Sequence, residues 1–428
     1  MPTLHRQLLW FVGLFSNLGE PAGENVRQFY ALCTALQAAR APLDEAQTKA
    51  DDTTVAVPET IKALYAISIP DKHFNNETYG LFETKRAFDA IKEIIKNAKD
   101  ADEQLVYKRI PETPTKKPTE TAIERLYNKT DQLVTQANAK ITSIKEKHKT
   151  AREALSKAVG GHPTPTELTA DDFTARNSGC KPTGTNGAKQ TLAQALVCIC
   201  SGDSHSANIC GNTIGDTTYG AGSAATAAAT LYTTLATKCK QPPTLRANMQ
   251  VLTAALGAVQ SVIGNPQFTG NSNTGTYVIG NGAAANCNGG DSSATCIDYT
   301  ELVTNGDIAD VAWIHNLQEA TANIEEGKKL QAELADLQSA IKQNENLAWK
   351  IRDAADIVAA VPKQNPTAQQ QKITEIDCDK NKENKTCTAR KNCKWGGKSD
   401  TDGKCVVDET KATTQTNTAG AGRDVMIV

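Results

Sequence analysis

The cysteines limit what this chain can fold into more than any other feature, because they fall into two separate groups. Eight lie between Cys33 and Cys296, and four lie close to the C-terminus. Both numbers are even, as expected if two units each close their own disulfide bonds. Disulfides persist only in oxidising compartments, so the pattern predicts an extracellular or surface-displayed protein. The candidate disulfide residues are Cys33, Cys180, Cys198, Cys200, Cys210, Cys239, Cys287, Cys296, Cys378, Cys387, Cys393 and Cys405.

The terminal group of cysteines predicts a small separate domain at residues 377–408. A module of roughly thirty residues cannot bury enough apolar surface to fold alone, so bridges must hold it together. A polar, proline-containing linker precedes it at 362–376, and a Thr- and Asn-rich tail follows at 409–428. The remaining residues, 23–361, are predicted to form an N-terminal domain.

Composition excludes several functional classes. Aromatic residues make up only 5% of the 428 residues and charged residues 22%, which favours long amphipathic helices over a compact α/β enzyme core. The net charge of −2 supplies no basic excess for a nucleic-acid partner. Six histidines without a cluster predict neither a metal site nor a bound cofactor.

The first residues, 1–22, have the pattern of a secretory signal peptide. A weakly basic start is followed by the apolar run from Leu8 to Phe15 and then by small and polar residues up to Ala22. This run is too short to span a bilayer and is typical of a cleaved leader. The alternative is a buried N-terminal helix.

Three Asn-x-Ser/Thr sequons predict N-glycosylation in a secreted protein. They lie at Asn76, Asn128 and Asn384. The site in the small cysteine module, Asn384, is expected to be exposed, whereas Asn128 falls within a helical pattern.

Helical periodicity extends over three long stretches, and a further helix is predicted around Phe29–Leu43. The first stretch lies between Phe82 and Tyr107, and the second runs from a possible capping box at Thr121 to Gly160. The third, from about Leu317 to Val361, contains a heptad seam. Its seam residues are Leu330, Leu334, Leu337, Ile341, Asn344, Ala348, Ile351, Ala355 and Val358.

Together these elements predict a mainly α fold, an elongated helical bundle or coiled coil with a small disulfide-stabilised C-terminal domain. Between the second and third stretches, at about 165–310, the chain becomes rich in Cys and Gly. This region predicts an exposed loop lobe held by disulfides, with short helices near Gln194 and Ala221–Thr237. A bridge between Cys287 and Cys296 would close the Gly- and Asn-rich part of the lobe.

No motif predicts catalysis. The run Gly220–Ala225 matches a loose dinucleotide fingerprint, but no apolar strand precedes it and no strand–helix alternation follows. Zinc is the alternative reading of Cys198-Ile-Cys200 and of the terminal cysteines, whose spacing lacks the close pair that structural zinc sites favour. The chain is therefore predicted not to be an enzyme.

The cysteine-containing segments resemble one family, the variant surface glycoproteins of African trypanosomes. The run from Leu192 through Cys198-Ile-Cys200-Ser-Gly-Asp to Cys210-Gly211 is similar to the N-terminal domain of the family's class B. Asn25-x-x-x-Phe29-x-x-Leu32-Cys33 is similar to its opening helix. The module containing Cys393-Lys-Trp395 is similar to the family's C-terminal domain.

The resemblance implies a coat protein on the cell surface, on the extracellular side of the plasma membrane. It also implies a homo-oligomer (dimer or trimer), N-glycans, recognition by host antibodies and a glycosylphosphatidylinositol anchor. An anchor signal needs a hydrophobic tail of about 10–20 residues. The run ending at Val428 offers only four apolar residues, so release into the medium is expected for the chain as written.

Two functions from different classes follow. The first is a space-filling antigenic coat element that shields a parasite from host antibodies. The second is a helical-bundle surface receptor for a host ligand, which needs a defined pocket or apolar patch.

Overall fold

The computed structural model describes residues 23–44, 54–182, 190–202, 208–215, 219–220, 224–264, 276–281, 287, 294–360, 378–390 and 393–408. The predicted leader (1–22), the linker (362–376) and the tail (409–428) lie outside these residues, and the domain boundaries drawn from them remain predictions. The chain forms two compact units, one of Met1–Arg109 with Lys116–Arg352 and one of Ile110–Thr115 with Asp353–Val428.

The described residues are mainly helical, and the predicted fold class is confirmed. The helices are α1 Val26–Arg40, α2 Glu59–Ser68, α3 Asp71–Phe74, α4 Lys85–Asn97, α5 Lys116–Gly160, α6 Arg176–Gly179, α7 Leu192–Ile199, α8 Ala225–Lys238, α9 Met249–Gln260, α10 Ala312–Ala360 and α11 Asn384–Thr388. The strands are β1 Val278–Asn281, β2 Thr295–Asp298, β3 Cys393–Trp395 and β4 Cys405–Val407, with 3₁₀ turns at Ala170–Asp172 and Ile308–Asp310.

The two longest helices, α5 and α10, run antiparallel. The Asn344 amide nitrogen of α10 lies 3.0 Å from Thr130 Oγ1 of α5, and Lys140 Nζ lies 2.5 Å from a Glu333 carboxylate oxygen. Residue numbers therefore rise along one helix as they fall along the other. At 1.5 Å per residue, the 45 residues of α5 and the 49 of α10 extend about 68 and 74 Å.

Most of the heptad seam of α10 is buried, as predicted. Of its nine positions, Leu330, Leu334, Ile341, Asn344, Ala348 and Ala355 are buried. Leu337 and Ile351 are partly buried and pack against the core clusters. The last position, Val358, is 56% exposed, so the buried seam ends before the helix does.

The predicted start of α5 is wrong by one turn and the predicted first helix is too long. Helix α5 begins at Lys116 and includes Pro118, because proline is tolerated in a first turn whose N–H groups have no helical acceptor. Thr121 therefore lies inside the helix and is not a cap. Helix α4 begins after Thr84, whose hydroxyl accepts from Ala87 N, and ends at Asn97, so Leu105 lies beyond it and is 43% exposed.

The disulfide-rich region at 165–310 contributes much of the largest apolar core, so its described part is less exposed than predicted. All eight residues of α7 are buried. Helix α1 packs against α5, α7 and α9, and α8 packs against α7. The fully buried Trp313 at the start of α10 belongs to the same core and donates its Nε1–H to Tyr299.

Strands β1 and β2 form an antiparallel hairpin beside α7. Gly280 pairs with Cys296 and has a φ of +102°, in the region that favours glycine. A Cβ on Gly280 would lie 2.3 Å from the Thr295 carbonyl oxygen. The hairpin therefore needs a glycine at this position.

The core of the C-terminal module consists mainly of disulfide-bonded cysteines. Strands β3 and β4 pair antiparallel, with Trp395 opposite Cys405. Its core cluster consists of the four cysteines with Trp395 packed against them. Trp395 Nε1 donates to the Ser399 carbonyl oxygen at 2.9 Å, which fixes the orientation of the ring.

Candidate functional site: disulfide framework, buried polar cluster and cleft

All twelve cysteines are joined in disulfide bonds, and each bond stays within one of the two groups. In the first unit the pairs are Cys33–Cys239, Cys180–Cys198, Cys200–Cys210 and Cys287–Cys296. In the second unit they are Cys378–Cys393 and Cys387–Cys405. The connectivity could not be read from the spacing, because it depends on which segments the core brings together.

Helix α7 directs two of these bonds. Cys198 lies in its last turn and is bonded to Cys180, and Cys200 directly follows the helix and is bonded to Cys210. The helix begins at Thr191, whose hydroxyl accepts from Gln194 N. The Cys-Ile-Cys run therefore links α7 to two different segments of the first unit, one through each cysteine.

The sulfur atoms considered above as zinc ligands in the module are bonded to each other in pairs. In the module, the sulfurs of Cys378, Cys393 and Cys405 lie within 4.8 Å of one another, a grouping that metal sites share. Cys378 is bonded to Cys393, and Cys405 is bonded to Cys387. Metal ligation requires free thiolates, so the bonded state leaves no zinc site here.

A buried arginine, Arg176 of α6, joins three segments of the first unit. Its side chain is fully buried, and Nη1 lies 2.6 Å from Ser201 Oγ and 2.9 Å from the Tyr219 carbonyl oxygen. Nη2 donates to the Ala294 carbonyl oxygen. Burying a guanidinium is unfavourable unless its N–H groups are bonded, so this arrangement fixes the three segments relative to one another.

The Tyr219 side chain continues this polar cluster. Its hydroxyl donates to the Thr174 carbonyl oxygen at 2.6 Å and accepts from Gln194 Nε2 at 3.1 Å. Burial raises the pKa of Tyr219 to about 12, against the hydrogen bond from Gln194 and the charge of Arg176. The phenol stays neutral near pH 7, so the cluster holds structure and has no group poised for acid–base chemistry.

An open cleft of about 780 Å³ lies in the first unit, where the C-terminal ends of α1 and α5 meet residues 161–168. Its buried lining is mostly apolar and includes Ala41, Leu43 and Leu155, with Ser156 as a buried polar member. Its exposed lining includes the basic side chains of Arg40, Lys149 and Arg152. None of the described residues that line it is Phe, Tyr or Trp.

At one edge of the cleft, the His162 ring contacts the Asp172 carboxylate through its Nε2. Although burial acts to raise it, the pKa of Asp172 lies below its usual value because the carboxylate accepts from Thr169 N and from His162. Thr169 and Asp172 also form a capping box around the 3₁₀ turn. Nothing in the sequence beyond the two residue types indicates this contact.

The three predicted glycosylation sites differ in their surroundings. Asn76 is exposed in the turn after α3, and Asn128 is exposed in the middle of α5. Asn384 is half-buried at the start of α11, where its amide nitrogen lies 3.1 Å from an Asp400 carboxylate oxygen. The module site is therefore less exposed than expected.

A bundle closed by four disulfides and followed by a small module with two more is the build of an extracellular or surface-displayed protein. The trypanosomal VSG domain matches residues 8–343, and the trypanosome variant surface glycoprotein C-terminal domain matches residues 378–425. The chain belongs to the variant surface glycoproteins of trypanosomes, a family of structural surface coat proteins.

A curated relative supports the same assignment. Variant surface glycoprotein ILTAT 1.23 of Trypanosoma brucei brucei is 28% identical over 152 residues. The alignment covers 34% of this chain and 28% of the relative. In the part of the chain that the structure describes, no helix combines the length and apolar character needed to cross a bilayer.

Proposed function

We propose that this protein is a space-filling antigenic coat element, which shields a parasite cell from host antibodies and takes part in immune evasion by antigenic variation. The observation that carries the proposal is the match of two coat-protein domains to residues 8–343 and 378–425. A coat element must be stable and must occupy space on the cell surface, and it needs no active site. The long α5–α10 pair and the disulfide-closed core are suited to that task.

Surface abundance tests this proposal. Live parasites expressing the chain would be labelled with a membrane-impermeant reagent, and the labelled protein would be quantified against total surface protein. A coat element is expected to dominate the labelled fraction. A minor share, with another protein forming the bulk of the coat, would contradict the proposal.

The proposed assembly is a homo-oligomer, dimer or trimer, held at the membrane by a glycosylphosphatidylinositol anchor. Both features are expected from the family, and anchoring competes with the expectation of release into the medium. Sedimentation of the purified protein tests the first, with a monomer at micromolar concentration as the contradicting result. Release of surface-labelled protein by a phosphatidylinositol-specific phospholipase tests the second, and protein found only in the medium would contradict it.

A surface receptor is the second candidate, and the cleft near Leu43 and Leu155 is the observation that favours it. Its volume of about 780 Å³ lies in the range of small-ligand sites. Its lack of large aromatic anchors weakens this candidate. Saturable binding of a host molecule that is lost in a Leu155→Trp variant, with the fold retained, would support the receptor over the coat element.

A further inference from the structure

The cleft at the C-terminal ends of α1 and α5 has walls that are fixed by their own contacts. On the α1 side, Ala247 N donates to the Pro42 carbonyl oxygen at 2.8 Å, and Leu43 forms a parallel bridge with Ala247. On the opposite side, Leu168 packs over Gly160 so closely that a Cβ on this glycine would lie 2.4 Å from Leu168 Cδ2. Small-ligand sites are usually pre-formed in this way.

The floor of the cleft offers aliphatic contacts. Leu43 and Leu155 are 6% and 3% exposed, and Val159 and Leu168 are partly buried against the same core. The described lining residues include no aromatic ring on which a flat ligand could stack. Apolar contact between aliphatic groups has no directional requirement. The floor therefore suits a flexible hydrocarbon chain better than an aromatic ligand.

Basic side chains outnumber acidic ones at the rim. Among the described residues that line the cleft, Arg40, Lys149 and Arg152 are basic and Glu153 is acidic. Lys149 and Arg152 are three residues apart on α5, so they lie on the same face of the helix. All three basic residues are exposed. The rim is therefore complementary in charge to an anionic group.

Arg40 is held at this rim from behind. Its Nη2 donates to the Tyr232 hydroxyl at 2.8 Å, and the guanidinium carbon lies 5.6 Å from the centroid of that ring. Tyr232 is buried, whereas Arg40 is exposed. The planar guanidinium carries five N–H donors in a geometry that matches a carboxylate. Because the side chain is already anchored, less conformational entropy is lost when an anion binds to it.

We propose that this cleft binds a long-chain fatty acid. The hydrocarbon chain lies on the floor around Leu43 and Leu155, and the carboxylate lies at Arg40 and Lys149. An aliphatic ligand needs no aromatic anchor, so the composition of the lining agrees with this class of ligand. The inference rests on the receptor candidate of the proposed function for the cleft and names its ligand class. It is compatible with a coat element that also carries a lipid.

Calorimetric titration tests the ligand class. The full chain would be produced in a eukaryotic secretory host, stripped of lipid, and titrated with dodecanoate below the concentration at which micelles form. We expect a single saturable site with a negative heat-capacity change, which is the mark of apolar burial. Dodecyltrimethylammonium has the same chain with the opposite charge and is expected to bind at least about tenfold more weakly. No saturable binding of dodecanoate, or equal affinity for the two amphiphiles, would overturn the proposal.

A matched pair of lysine variants tests the position of the carboxylate. Lys149→Gln is expected to raise the Kd for dodecanoate about threefold to tenfold, because a charge-assisted hydrogen bond is lost. Lys157→Gln is the control, since Lys157 is an exposed residue of the same helix that does not line the cleft. It makes the same change in net charge and is expected to alter the Kd less than about twofold. Equal effects of the two variants would overturn the placement of the head group.

A third variant tests the position of the chain. Val159→Trp places a large ring in the wall of the cleft and is expected to weaken dodecanoate binding at least about tenfold. Unchanged binding by a folded Val159→Trp protein would contradict a chain on this floor. The comparison of the two exposed lysines stands even if Val159→Trp does not fold. Surface abundance on parasites is measured separately, so a failure of fatty-acid binding leaves the coat proposal standing, and the converse also holds.

Discussion

The two units of this protein have cores of opposite kinds. In the first unit, dozens of apolar side chains are buried, among them Trp313, Phe29 and Leu196, and three of the four disulfides lie within that packing. The fourth, Cys287–Cys296, lies in a small separate cluster with Val278 and Ala294. In the second unit, the core cluster contains only four cysteines with Trp395 packed against them. The comparison indicates that disulfides add stability to a fold that packing already defines in the first unit, whereas they constitute the core of the second.

The largest effect is expected from breaking a bond of the module. Cys387→Ser with Cys405→Ser removes half of the sulfur core, and too little apolar surface remains to hold a fold of this size. We expect complete loss of the module's structure, measured as loss of dispersed amide resonances for residues 378–408. The thermal unfolding of the first unit is expected to stay unchanged in the same protein, and a folded double variant would show that the module has another source of stability.

A charge in the seam of α10 should have the next largest effect. Ile341→Asp places an unpaired carboxylate at a residue that is only 6% exposed, at an expected cost of about 3–5 kcal/mol in the free energy of unfolding. The matched control is Gln343→Asp, two positions along on the exposed face. The denaturant midpoint of Ile341→Asp should be clearly lower than that of Gln343→Asp. Equal midpoints would mean that the α5–α10 contact is assigned wrongly.

Removing the longest disulfide loop should have a smaller effect than charging the seam. Cys33→Ala with Cys239→Ala opens a loop of 206 residues between α1 and the end of α8. We expect a loss of about 2–4 kcal/mol and a first unit that still folds, because the apolar core remains. Complete unfolding of this variant would show that the first unit, like the second, depends on its disulfides to fold. Denaturant titration measures the loss in the free energy of unfolding, and circular dichroism shows whether the first unit still folds.

The smallest effect is expected at the polar position of the seam. Asn344→Ala removes a buried hydrogen bond of 3.0 Å to Thr130, which retains its bond to the Leu126 carbonyl oxygen. We expect a loss of about 1 kcal/mol. A loss above that of Ile341→Asp would show that the hydrogen bond, and not apolar packing, holds the two long helices together.

The parts of the fold that repeat a pattern could be predicted from the sequence, and those set by single contacts could not. The α10 seam was readable because apolar residues recur in steps of three and four over several turns. The start of α5 was misplaced because Pro118 reads as a breaker unless its position in a first turn is known. Helix α2 was missed, although Pro58 and Pro70 bracket its apolar run and would have marked it.

The sequence identified many residues of the candidate site, but it did not show which of them lie together or which are buried. Sequence identified every cysteine, yet no spacing rule joins Cys33 to Cys239, because packing of α1 and α8 against the same core brings them together. Arg176 was not predicted at all, since a lone arginine in a polar segment gives no sign that it is fully buried. The sequons were visible, but their ranking required the structure, which exposes Asn76 and engages Asn384 with Asp400.

Peptide mapping under non-reducing conditions tests the central contrast most directly. The native protein would be alkylated, digested without reductant and analysed by mass spectrometry for linked peptides. Six links are expected, four among the cysteines from Cys33 to Cys296 and two among those from Cys378 to Cys405, with none between the groups. A single link joining an upstream cysteine to the module, or free thiols in the module of a folded protein, would contradict the account of two independently closed units.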